Sequence, residues 1–494
     1  MLHRLLHRLS LNALLIAAAS AHAELPEAVA QLLRAANIPE QAVGVVVMRD
    51  NTTLLSHGAE RSMQPASTMK LVTTLVGLEQ LGPAFRGRTE LRSSADLISG
   101  VLKGDLILRG GADADLNADV LQHMLQTLRN QGIKKISGDL ILDRQLFQPA
   151  RPDLGLAPFD ENPEFRYNVI PDALLLNTNL LQIDLIGSGK QLKLIMRPAL
   201  EKVTLGSDMT LIEADCANWE DGWRAPDTVR DGNGNLRVML HGVFPKNCTT
   251  STSINVLDRH DYADRLFRTT WRRLGGEFNG IVRAAPTATP PYTRLLTDHV
   301  ARALPEMVRD INKSSDNTLA RLLFLSLGSL EADPFFGSRP LPTPATSPRM
   351  SPTTSAARSE LLIRQWLQRH DIDDQGLVLE NGSGLSRIER IRPAQMAGLL
   401  QAASHSPWAP EFLASLPIAA LDGTMRRRLH DSPAAARARI KTGTLKNVVA
   451  IAGYVPDTSG QQCVVVAMIN HELAGSGGRA ALDALIDWVA QSGI

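Results

Sequence analysis

The strongest constraint on the fold comes from strand patterns that lie at opposite ends of the chain. Near the amino end, two apolar or alternating runs flank Arg49-Asp50-Asn51 and predict a hairpin. Near the carboxyl end, three more such runs precede a segment with apolar residues at helical spacing. These patterns predict an α+β fold in which both chain ends build one antiparallel sheet flanked by helices. The predicted strands are 42–48, 52–57, 438–444, 448–455 and 463–470, and the predicted helices are 25–36, 68–81 and the segment from Arg479 onward.

The middle of the chain has a different sequence pattern. Between about residues 88 and 290, short alternating strands are interrupted by Gly, Asn and Asp, which predicts an inserted β-rich region over residues 89–289. Residues 24–88 and 290–494 would then form one discontinuous domain. Gly-Asp-Leu-Ile-Leu occurs at both 104–108 and 138–142, as expected either for an internal repeat or for two unrelated strands. A segment rich in Pro, Ser and Thr, residues 333–359, is predicted to be a surface loop or a linker.

The first 23 residues have the layout of a secretory signal peptide. A basic start is followed by an apolar run over residues 11–19 and by Ala21-His22-Ala23, a typical cleavage site. The alternative is a membrane anchor, but this run is shorter than the roughly 20 residues that cross a bilayer. We therefore expect export, cleavage near Ala23, a periplasmic location and no transmembrane segment in the mature protein.

Charge and cysteine content narrow the partners and the compartment. The chain has 52 basic and 51 acidic residues, a balance that argues against nucleic acid or strongly anionic lipid as a partner. Three cysteines leave one unpaired in an oxidising compartment. Cys216 and Cys248 share a loop-rich stretch and are the predicted disulfide. Cys463 lies in an apolar run and is predicted to be an inert core thiol.

The histidines do not form a metal-binding pattern. His471-Glu472 comes nearest to His-Glu-x-x-His, but the second histidine is missing four residues after the first. Scattered surface or core histidines are the simpler interpretation. We expect no metal and no other cofactor.

Ser67 and Lys70 form the first chemical motif, at the start of the predicted helix of residues 68–81. A spacing of three places the serine hydroxyl and the lysine amine on one helical face. A serine hydroxyl needs a base at neutral pH, and a lysine can serve if burial or another cation keeps it neutral. Chance alone supplies about one or two such spacings in a chain of this length. A solvated helix start is therefore the alternative interpretation.

Ser315-Asp316-Asn317 is the second motif. It falls between two apolar helical segments, residues 307–311 and 319–327, where short polar side chains at a turn can face a cleft. Without the other motifs, a plain polar turn would explain it equally well.

Lys441-Thr442-Gly443-Thr444 is the third motif, on a predicted strand. We expect Gly443 to let a substrate backbone approach the strand edge, because it has no side chain. An ordinary exposed strand is the alternative. Together, the three motifs would surround one groove with a nucleophile, a base, a polar bridge and a carboxylate-binding cation.

Ser-x-x-Lys, Ser-x-Asn and Lys-Thr-Gly, in this order, are typical of serine penicillin-binding proteins and β-lactamases. Over nearly its whole mature length, the chain resembles the low-molecular-mass class C penicillin-binding proteins, the D-alanyl-D-alanine carboxypeptidase/endopeptidases. This family is similar in carrying two extra domains after the first motif, so two nested domains are expected in residues 89–289 of a penicillin-binding/β-lactamase-like transpeptidase fold. Further segments that carry the resemblance are Gly110-Gly111-Ala112-Asp113, Asn381-Gly382-Ser383-Gly384-Leu385-Ser386-Arg387, Asp422-Gly423-Thr424-Met425 and Ile440-Lys441-Thr442-Gly443-Thr444-Leu445.

The resemblance implies an acylation mechanism. Ser67 is the expected nucleophile and Lys70 its base, and the backbone N–H groups of Ser67 and Thr444 are expected to hold the oxyanion. Ser315 is expected to relay the proton to the leaving amine. Asn317 is expected to orient both the substrate amide and Lys70.

The resemblance also implies the substrate. Lys441, Thr442 and Thr444 are expected to hold the terminal carboxylate of a D-alanyl peptide of peptidoglycan, and the charge of Lys441 is expected to help keep Lys70 neutral. A β-lactam, which resembles that terminus, is expected to stay attached to Ser67. The balance between carboxypeptidase and endopeptidase activity and the oligomeric state are left open by the sequence.

The chain departs from the family pattern at two positions. It has Asn381 where the family usually has Asp, and Ala112 where the family usually has Gly. Neither residue belongs to the three motifs, so the departures concern a local hydrogen bond or turn.

Two other functions compete with the peptidase. A serine β-lactamase shares the three motifs, but the large insertion and the absence of Glu-x-x-x-Asn after Ser315 argue against it. A non-catalytic scaffold that binds cell wall is disfavoured because the three motifs are intact.

Overall fold

The structure is a computed structural model that describes residues 24–289, 293–342 and 354–493. The predicted signal peptide of residues 1–23 lies outside the described residues, as do the expected domain boundary at residue 290 and residues 343–353 of the predicted surface loop. Across the part that is described, no helix has the length and apolar character needed to cross a membrane.

Helices and strands alternate irregularly along the described chain. The α-helices are α1 (Glu27–Ala35), α2 (Lys70–Leu81), α3 (Ala118–Asn130), α4 (Arg259–Arg273), α5 (Leu304–Ser314), α6 (Asn317–Leu327), α7 (Ser355–Arg369), α8 (Pro393–His405), α9 (Ala409–Ser415) and α10 (Arg479–Gln491). The strands are β1 (Val43–Arg49), β2 (Thr52–His57), β3 (Arg88–Ser93), β4 (Leu97–Ile98), β5 (Val101–Leu102), β6 (Leu106–Gly111), β7 (Lys135–Ile136), β8 (Leu140–Asp143), β9 (Leu181–Ser188), β10 (Gln191–Arg197), β11 (Val203–Ser207), β12 (Thr210–Ile212), β13 (Trp223–Arg230), β14 (Leu236–Pro245), β15 (Thr249–Ile254), β16 (Glu277–Phe278), β17 (Val282–Ala284), β18 (Arg294–Val300), β19 (Leu330–Asp333), β20 (Gly337–Pro340), β21 (Arg439–Leu445), β22 (Val448–Pro456) and β23 (Gln462–Asn470).

The two ends of the chain meet in one five-stranded sheet with the order β2-β1-β23-β22-β21. Every neighbouring pair in it is antiparallel, and Val43 of β1 lies opposite Ile469 of β23. The predicted α+β fold, with a single antiparallel sheet built from both chain ends, is therefore confirmed.

Successive residues of this sheet face two different hydrophobic cores. Val45 and Val465 pack with α1 and α10 on one side, whereas Val46 and Val466 pack with α2, α6 and α8 on the other. All four valines are at least 96% buried. Burial of a valine contributes roughly 1.5–3 kcal/mol to folding, so two such faces hold the sheet rigidly in the centre of its domain.

The middle region has its own hydrophobic core, built around α3 and α4. Strands β6 and β8, which carry the two Gly-Asp-Leu-Ile-Leu segments, are parallel neighbours with Leu106 opposite Leu140. Strand β17 continues the same parallel pairing beyond β8, and β5, β7 and β16 form a second parallel set. The two sequence segments therefore occupy equivalent places in a stacked arrangement with a third, diverged copy, which favours an internal repeat.

Strand β18 joins the sheet of the middle region although it lies beyond residue 290. It pairs with β3 in antiparallel fashion, with Val300 opposite Arg88. Because strand pairing ties residues 294–300 to the insertion, we propose that the discontinuous domain resumes after Val300.

The structure pairs Cys216 with Cys248 in a disulfide, with Cα atoms 5.2 Å apart. The bridge connects a 3-10 turn to the start of β15, within the middle region. Cys463 is buried in β23 and packs in the core beneath α10.

Candidate active site

Ser67 lies on a tight turn immediately before α2. Residues Ala66–Met69 form a 3-10 turn, and the α-helix begins only at Lys70, two residues later than the predicted start. The Thr68 hydroxyl and N–H both donate to the carbonyl of Pro65, at 2.7 and 3.2 Å. This bonding holds the turn that presents the serine hydroxyl.

Two glycines let other segments approach this turn closely. A Cβ at Gly443 would lie 2.7 Å from the carbonyl oxygen of Pro65 and 3.0 Å from the amide nitrogen of Ser67. A Cβ at Gly384 would lie 1.9 Å from the carbonyl oxygen of Ala66. Gly443 was expected to let a substrate backbone approach the strand. In the structure, the absence of its side chain makes room for the serine turn.

Lys70 is completely buried beside Ser67. Its Nζ lies 2.9 Å from Ser67 Oγ and 2.7 Å from Asn317 Oδ1, and it also contacts the carbonyl oxygen of Ser383. Burial lowers the pKa of Lys70 to about 7, against the opposing effect of the Asp316 and Glu389 carboxylates. A substantial fraction of Lys70 is thus neutral at physiological pH and able to accept a proton.

The carbonyl of Ser383 belongs to a loop that is wrapped around a buried carboxylate. Glu389 is 99% buried, and its Oε1 accepts the N–H groups of Asn381 and Gly382 at 2.9 and 2.8 Å. Its Oε2 accepts the N–H of Gly384 at 2.9 Å. The carboxylate therefore fixes the backbone on both sides of Ser383.

Ser315 and Lys441 meet across the cleft from Lys70. Ser315 ends α5 in a left-handed conformation, with φ of 61°, and its Oγ lies 2.9 Å from the Nζ of Lys441. Lys441 is also fully buried, and its Nζ donates to the carbonyl of Thr442 at 2.8 Å. Burial, and then the charge of Lys70, lower the pKa of Lys441 well below its usual range.

Burial is the first cause of the lowered pKa of both lysines. The sequence interpretation assigned the neutrality of Lys70 partly to repulsion from Lys441, whereas burial is the dominant cause for Lys70. Repulsion between the two ammonium charges adds to burial and opposes double protonation of the pair, so the expected contribution of Lys441 is secondary to burial.

Asn317 connects Lys70 to the middle region. Its Nδ2 donates to the carbonyl of Tyr167 at 3.2 Å, while its Oδ1 faces Lys70. The Tyr167 hydroxyl donates to Asp160 at 2.6 Å, and burial together with this carboxylate raises the pKa of Tyr167 to about 12. A loop of the middle region thus forms part of the cleft wall.

The strand that carries Lys441 is the edge of the central sheet in the described part of the chain. The N–H of Ile440 donates out of the sheet, to the carbonyl of Pro417 at 2.8 Å. Because the direction of N–H groups alternates along a strand, the N–H of Thr444 also points away from β22, on the side of the cleft. Thr442 Oγ1 donates to Thr424 Oγ1 at 2.7 Å.

The structure brings the three motifs together. Direct contacts join Ser67, Lys70 and Asn317, and a separate contact joins Ser315 to Lys441. Thr442, Gly443 and Thr444 follow along β21. Among the residues that the structure describes, no group of three or more His, Cys, Asp or Glu side chains is arranged to hold a metal ion.

Sequence reasoning missed four contributors to this site. Ser383 and Thr424 lie in segments that carried the family resemblance, but they act there through a backbone carbonyl and a neighbouring hydroxyl. Glu389 lies just past one of those segments. For Tyr167 the sequence contained no usable signal, because its contact with the site is made by the main chain.

The two departures from the family pattern are both accommodated locally. Asn381 Oδ1 accepts from the N–H and the hydroxyl of Ser383, at 3.0 and 2.6 Å, as an aspartate oxygen would. Ala112 has φ of 58°, in the left-handed region that favours glycine. The conformation explains why glycine is usual at that position.

Known proteins match the chain over most of its length. The model of the D-Ala-D-Ala carboxypeptidase 3 (S13) family matches residues 25–338 and 345–492. The D-alanyl-D-alanine carboxypeptidase DacB of Haemophilus influenzae is 27% identical over 433 residues, which cover 87% of this chain and 85% of the relative. A D-alanyl-D-alanine carboxypeptidase of Actinomadura sp. (strain R39) is 27% identical over 90% of this chain and 81% of its own length.

A solved structure matches the fold as a whole. The crystal structure of penicillin binding protein 4 (dacB) from Haemophilus influenzae superposes with a TM-score of 0.74 and 27% identity, covering 94% of this chain and 99% of that chain. The same protein complexed with a β-lactam gives a TM-score of 0.69 at 26% identity, with 93% and 97% covered. The predicted penicillin-binding type of fold is confirmed.

Proposed function

The chain belongs to the D-Ala-D-Ala carboxypeptidase 3 (S13) family, and on that premise we propose that it cleaves D-alanyl peptide bonds of peptidoglycan through an acyl-enzyme on Ser67. The single observation that carries this proposal is the position of Lys70. Its buried amine lies 2.9 Å from Ser67 Oγ, and its pKa of about 7 lets it act as a base.

Acylation begins with attack of Ser67 Oγ on the carbonyl carbon of the penultimate D-alanine. Lys70 accepts the hydroxyl proton as the C–O bond forms. The N–H groups of Ser67 and Thr444 donate to the oxyanion, a role supported by the outward direction of the Thr444 N–H.

Breakdown of the tetrahedral intermediate needs a proton on the leaving amine. Ser315 relays that proton: its hydroxyl donates to the amine and takes up in turn the proton that Lys70 received from Ser67, which returns Lys70 to its neutral form. The Nζ of Lys441 donates to Ser315 Oγ and holds it in place. The C–N bond then breaks and D-alanine leaves. Water subsequently attacks the ester, which releases the shortened peptide and regenerates the Ser67 hydroxyl.

The terminal carboxylate of the substrate is held by β21. Thr444 donates its hydroxyl to it, and the Thr442 hydroxyl, which donates to Thr424 Oγ1 in the free protein, turns to the carboxylate when substrate binds. Lys441 provides a positive charge when that carboxylate arrives. A carboxylate raises the pKa of a neighbouring lysine, so the approach of substrate favours the charged form of Lys441. The binding of substrate therefore reverses the effect of burial on this residue.

We also propose where the reaction takes place and what inhibits it. The enzyme is exported, loses residues 1–23 and acts on peptidoglycan in the periplasm. β-Lactams acylate Ser67 and stay attached. This inhibition is supported by the β-lactam complex of the related penicillin binding protein 4.

Fluorescent penicillin tests the acyl-enzyme directly. Wild type is expected to be labelled stably and Ser67→Ala to be unlabelled at equal protein concentration, with Ser62→Ala as a matched control that keeps the label. Equal labelling of wild type and Ser67→Ala would rule out Ser67 as the nucleophile. Rapid turnover of the penicillin would instead identify a β-lactamase.

Purified muropeptides test the substrate. We expect loss of D-alanine from pentapeptides and cleavage of D-alanyl cross-links in dimers, both measured by mass spectrometry. If neither product forms while penicillin still labels Ser67, the proposed peptidase activity is wrong.

A further inference from the structure

The neutral form of Lys70 has to be aimed before it can act on Ser67. A neutral lysine has two N–H bonds and one lone pair, and only the lone pair can accept a proton. Three oxygens surround its Nζ: those of Ser67, Asn317 and Ser383. Which oxygens take the two N–H bonds decides where the lone pair points.

Two of the three oxygens can only accept. The Ser383 oxygen is a backbone carbonyl. The Asn317 oxygen is identified by the other end of its amide, because Nδ2 donates to the carbonyl of Tyr167 and so leaves Oδ1 towards Lys70. Both N–H bonds of neutral Lys70 are thereby used, and the lone pair is left facing Ser67.

The Ser383 carbonyl is itself held by a buried carboxylate. Glu389 accepts the N–H groups of Gly382 and Gly384 at 2.8 and 2.9 Å, on either side of Ser383. On the opposite side of the loop, the Thr73 hydroxyl donates to the carbonyl of Gly382 at 2.6 Å. Thr73 stands one turn after Lys70 on α2, so the helix that carries the base also anchors the loop.

We propose that Glu389 is a positioning residue, which holds the Ser383 carbonyl against Lys70 and thereby directs the lone pair of Lys70 at Ser67. The inference rests on the proposed function and assigns it a residue outside the three motifs. Glu389 acts in two ways: its hydrogen bonds fix the loop, and its negative charge favours the protonated form of Lys70.

Glu389→Gln tests both contributions of Glu389, its hydrogen bonds to the loop and its negative charge, while the packing of the side chain stays almost the same. The glutamine keeps the size but loses the charge, and its NH2 group opposes at least one backbone N–H that the carboxylate accepts. The other charged groups that act on Lys70 are Asp316 and Arg321, with Lys441 coupled to it, and all three stay unchanged.

The test is the rate of Ser67 acylation by a fluorescent penicillin, measured from pH 5 to 9. For Glu389→Gln we expect the plateau rate to fall on the order of tenfold and the acid limb to move down by about one pH unit, because a negative charge is removed. Thr73→Val weakens the loop but keeps the charge, so its plateau should fall while its acid limb stays in place. Glu380→Gln, an exposed change in the same loop, should match wild type in both.

Several outcomes would overturn the proposal. A folded Glu389→Gln whose acid limb moves while its plateau stays at the wild-type rate shows that only the charge of Glu389 acts on Lys70. One with the wild-type pH profile shows that Glu389 makes neither contribution. If Glu389→Gln does not fold, the Thr73→Val variant serves as the test. A plateau acylation rate equal to that of wild type in this variant would reject the role of the loop. Wild-type acylation of Ser67 in the same assay tests the proposed function separately, and its absence would remove both.

Discussion

The two buried lysines of the cleft are equally sealed from solvent but differ in their surroundings. Lys70 contacts three oxygens, and the carboxylates of Asp316 and Glu389 favour its protonated form. Lys441 contacts Ser315 and a backbone carbonyl, and its pKa is lowered by burial and by Lys70. One lysine is therefore balanced near neutral pH, whereas a negative charge brought by the substrate would raise the lowered pKa of the other.

This difference shows how one fold can use the same side chain twice. A base works best when its pKa lies near the working pH, and at Lys70 two carboxylates partly offset the effect of burial. A carboxylate-binding residue instead gains most when its counter-charge comes from the substrate. The two roles therefore need different neighbours rather than different side chains.

Removal of the base should have the largest effect. Lys70→Met keeps the length and apolar stem of the side chain but removes the amine, and we expect acylation of Ser67 by penicillin to slow by roughly 10³-fold. Stopped-flow fluorescence or quenched intact-mass measurements can follow it. Acylation within tenfold of wild type would show that another group takes the proton of Ser67.

Removal of the second lysine should act through the substrate carboxylate. For Lys441→Met we expect kcat/KM for a D-alanyl-D-alanine peptide to fall on the order of a hundredfold, while cleavage of the corresponding carboxamide changes much less. Lys446→Met, an exposed change at the end of the same strand, is the matched control. Equal losses with both substrates would contradict the assignment of Lys441 to carboxylate binding.

Strand β21, which carries Lys441 and packs against the serine turn, should be sensitive to a single added methyl group. Gly443→Ala places a Cβ 2.7 Å from the carbonyl oxygen of Pro65, so β21 and the serine turn must move apart. We expect acylation to slow on the order of tenfold, with little change in the melting temperature. Gly475→Ala has open space around its Cβ and should leave the rate unchanged.

The smallest effect is expected beside Thr442. Thr424→Val removes the hydroxyl that pairs with Thr442 Oγ1 and should raise KM about fivefold, the worth of one neutral hydrogen bond. Thr424→Ser should restore the wild-type KM. Failure of serine to restore it would indicate that the methyl group of Thr424, rather than its hydroxyl, matters.

Much of the fold and of the site could be predicted from the sequence, because short local patterns of residues determine the strands and mark the motifs. The strands of the central sheet were predicted within one residue at each end. Three of them, β1, β22 and β23, have long apolar runs that are buried on both faces, and turn residues mark where β2 ends and where β22 gives way to β23. The three motifs indicated the cleft because their chemistry is complete in side chains. The pairing of the two Gly-Asp-Leu-Ile-Leu segments as parallel neighbours was beyond reach, because parallel pairing depends on a helix that crosses between the strands.

The groups that set the pKa of Lys70 were also beyond reach. Ser383 contacts it through a main-chain carbonyl more than 300 residues away along the chain, and the buried Glu389 acts on it through that loop. Such contacts leave no spacing or residue pattern to detect. The sequence also suggested that Gly443 faces the substrate. Its contact with the serine turn could not be predicted, because that contact depends on how distant segments pack.

The most direct test of the account is the pH dependence of wild-type acylation, with the adduct located by peptide mass mapping. Lys70 has to be neutral to accept the proton of Ser67, and its pKa is lowered to about 7 by burial. The account predicts that the rate rises with pH, is half-maximal near pH 7 and places the adduct on Ser67. A rate that is flat from pH 5 to 9, or an adduct on another residue, would contradict it.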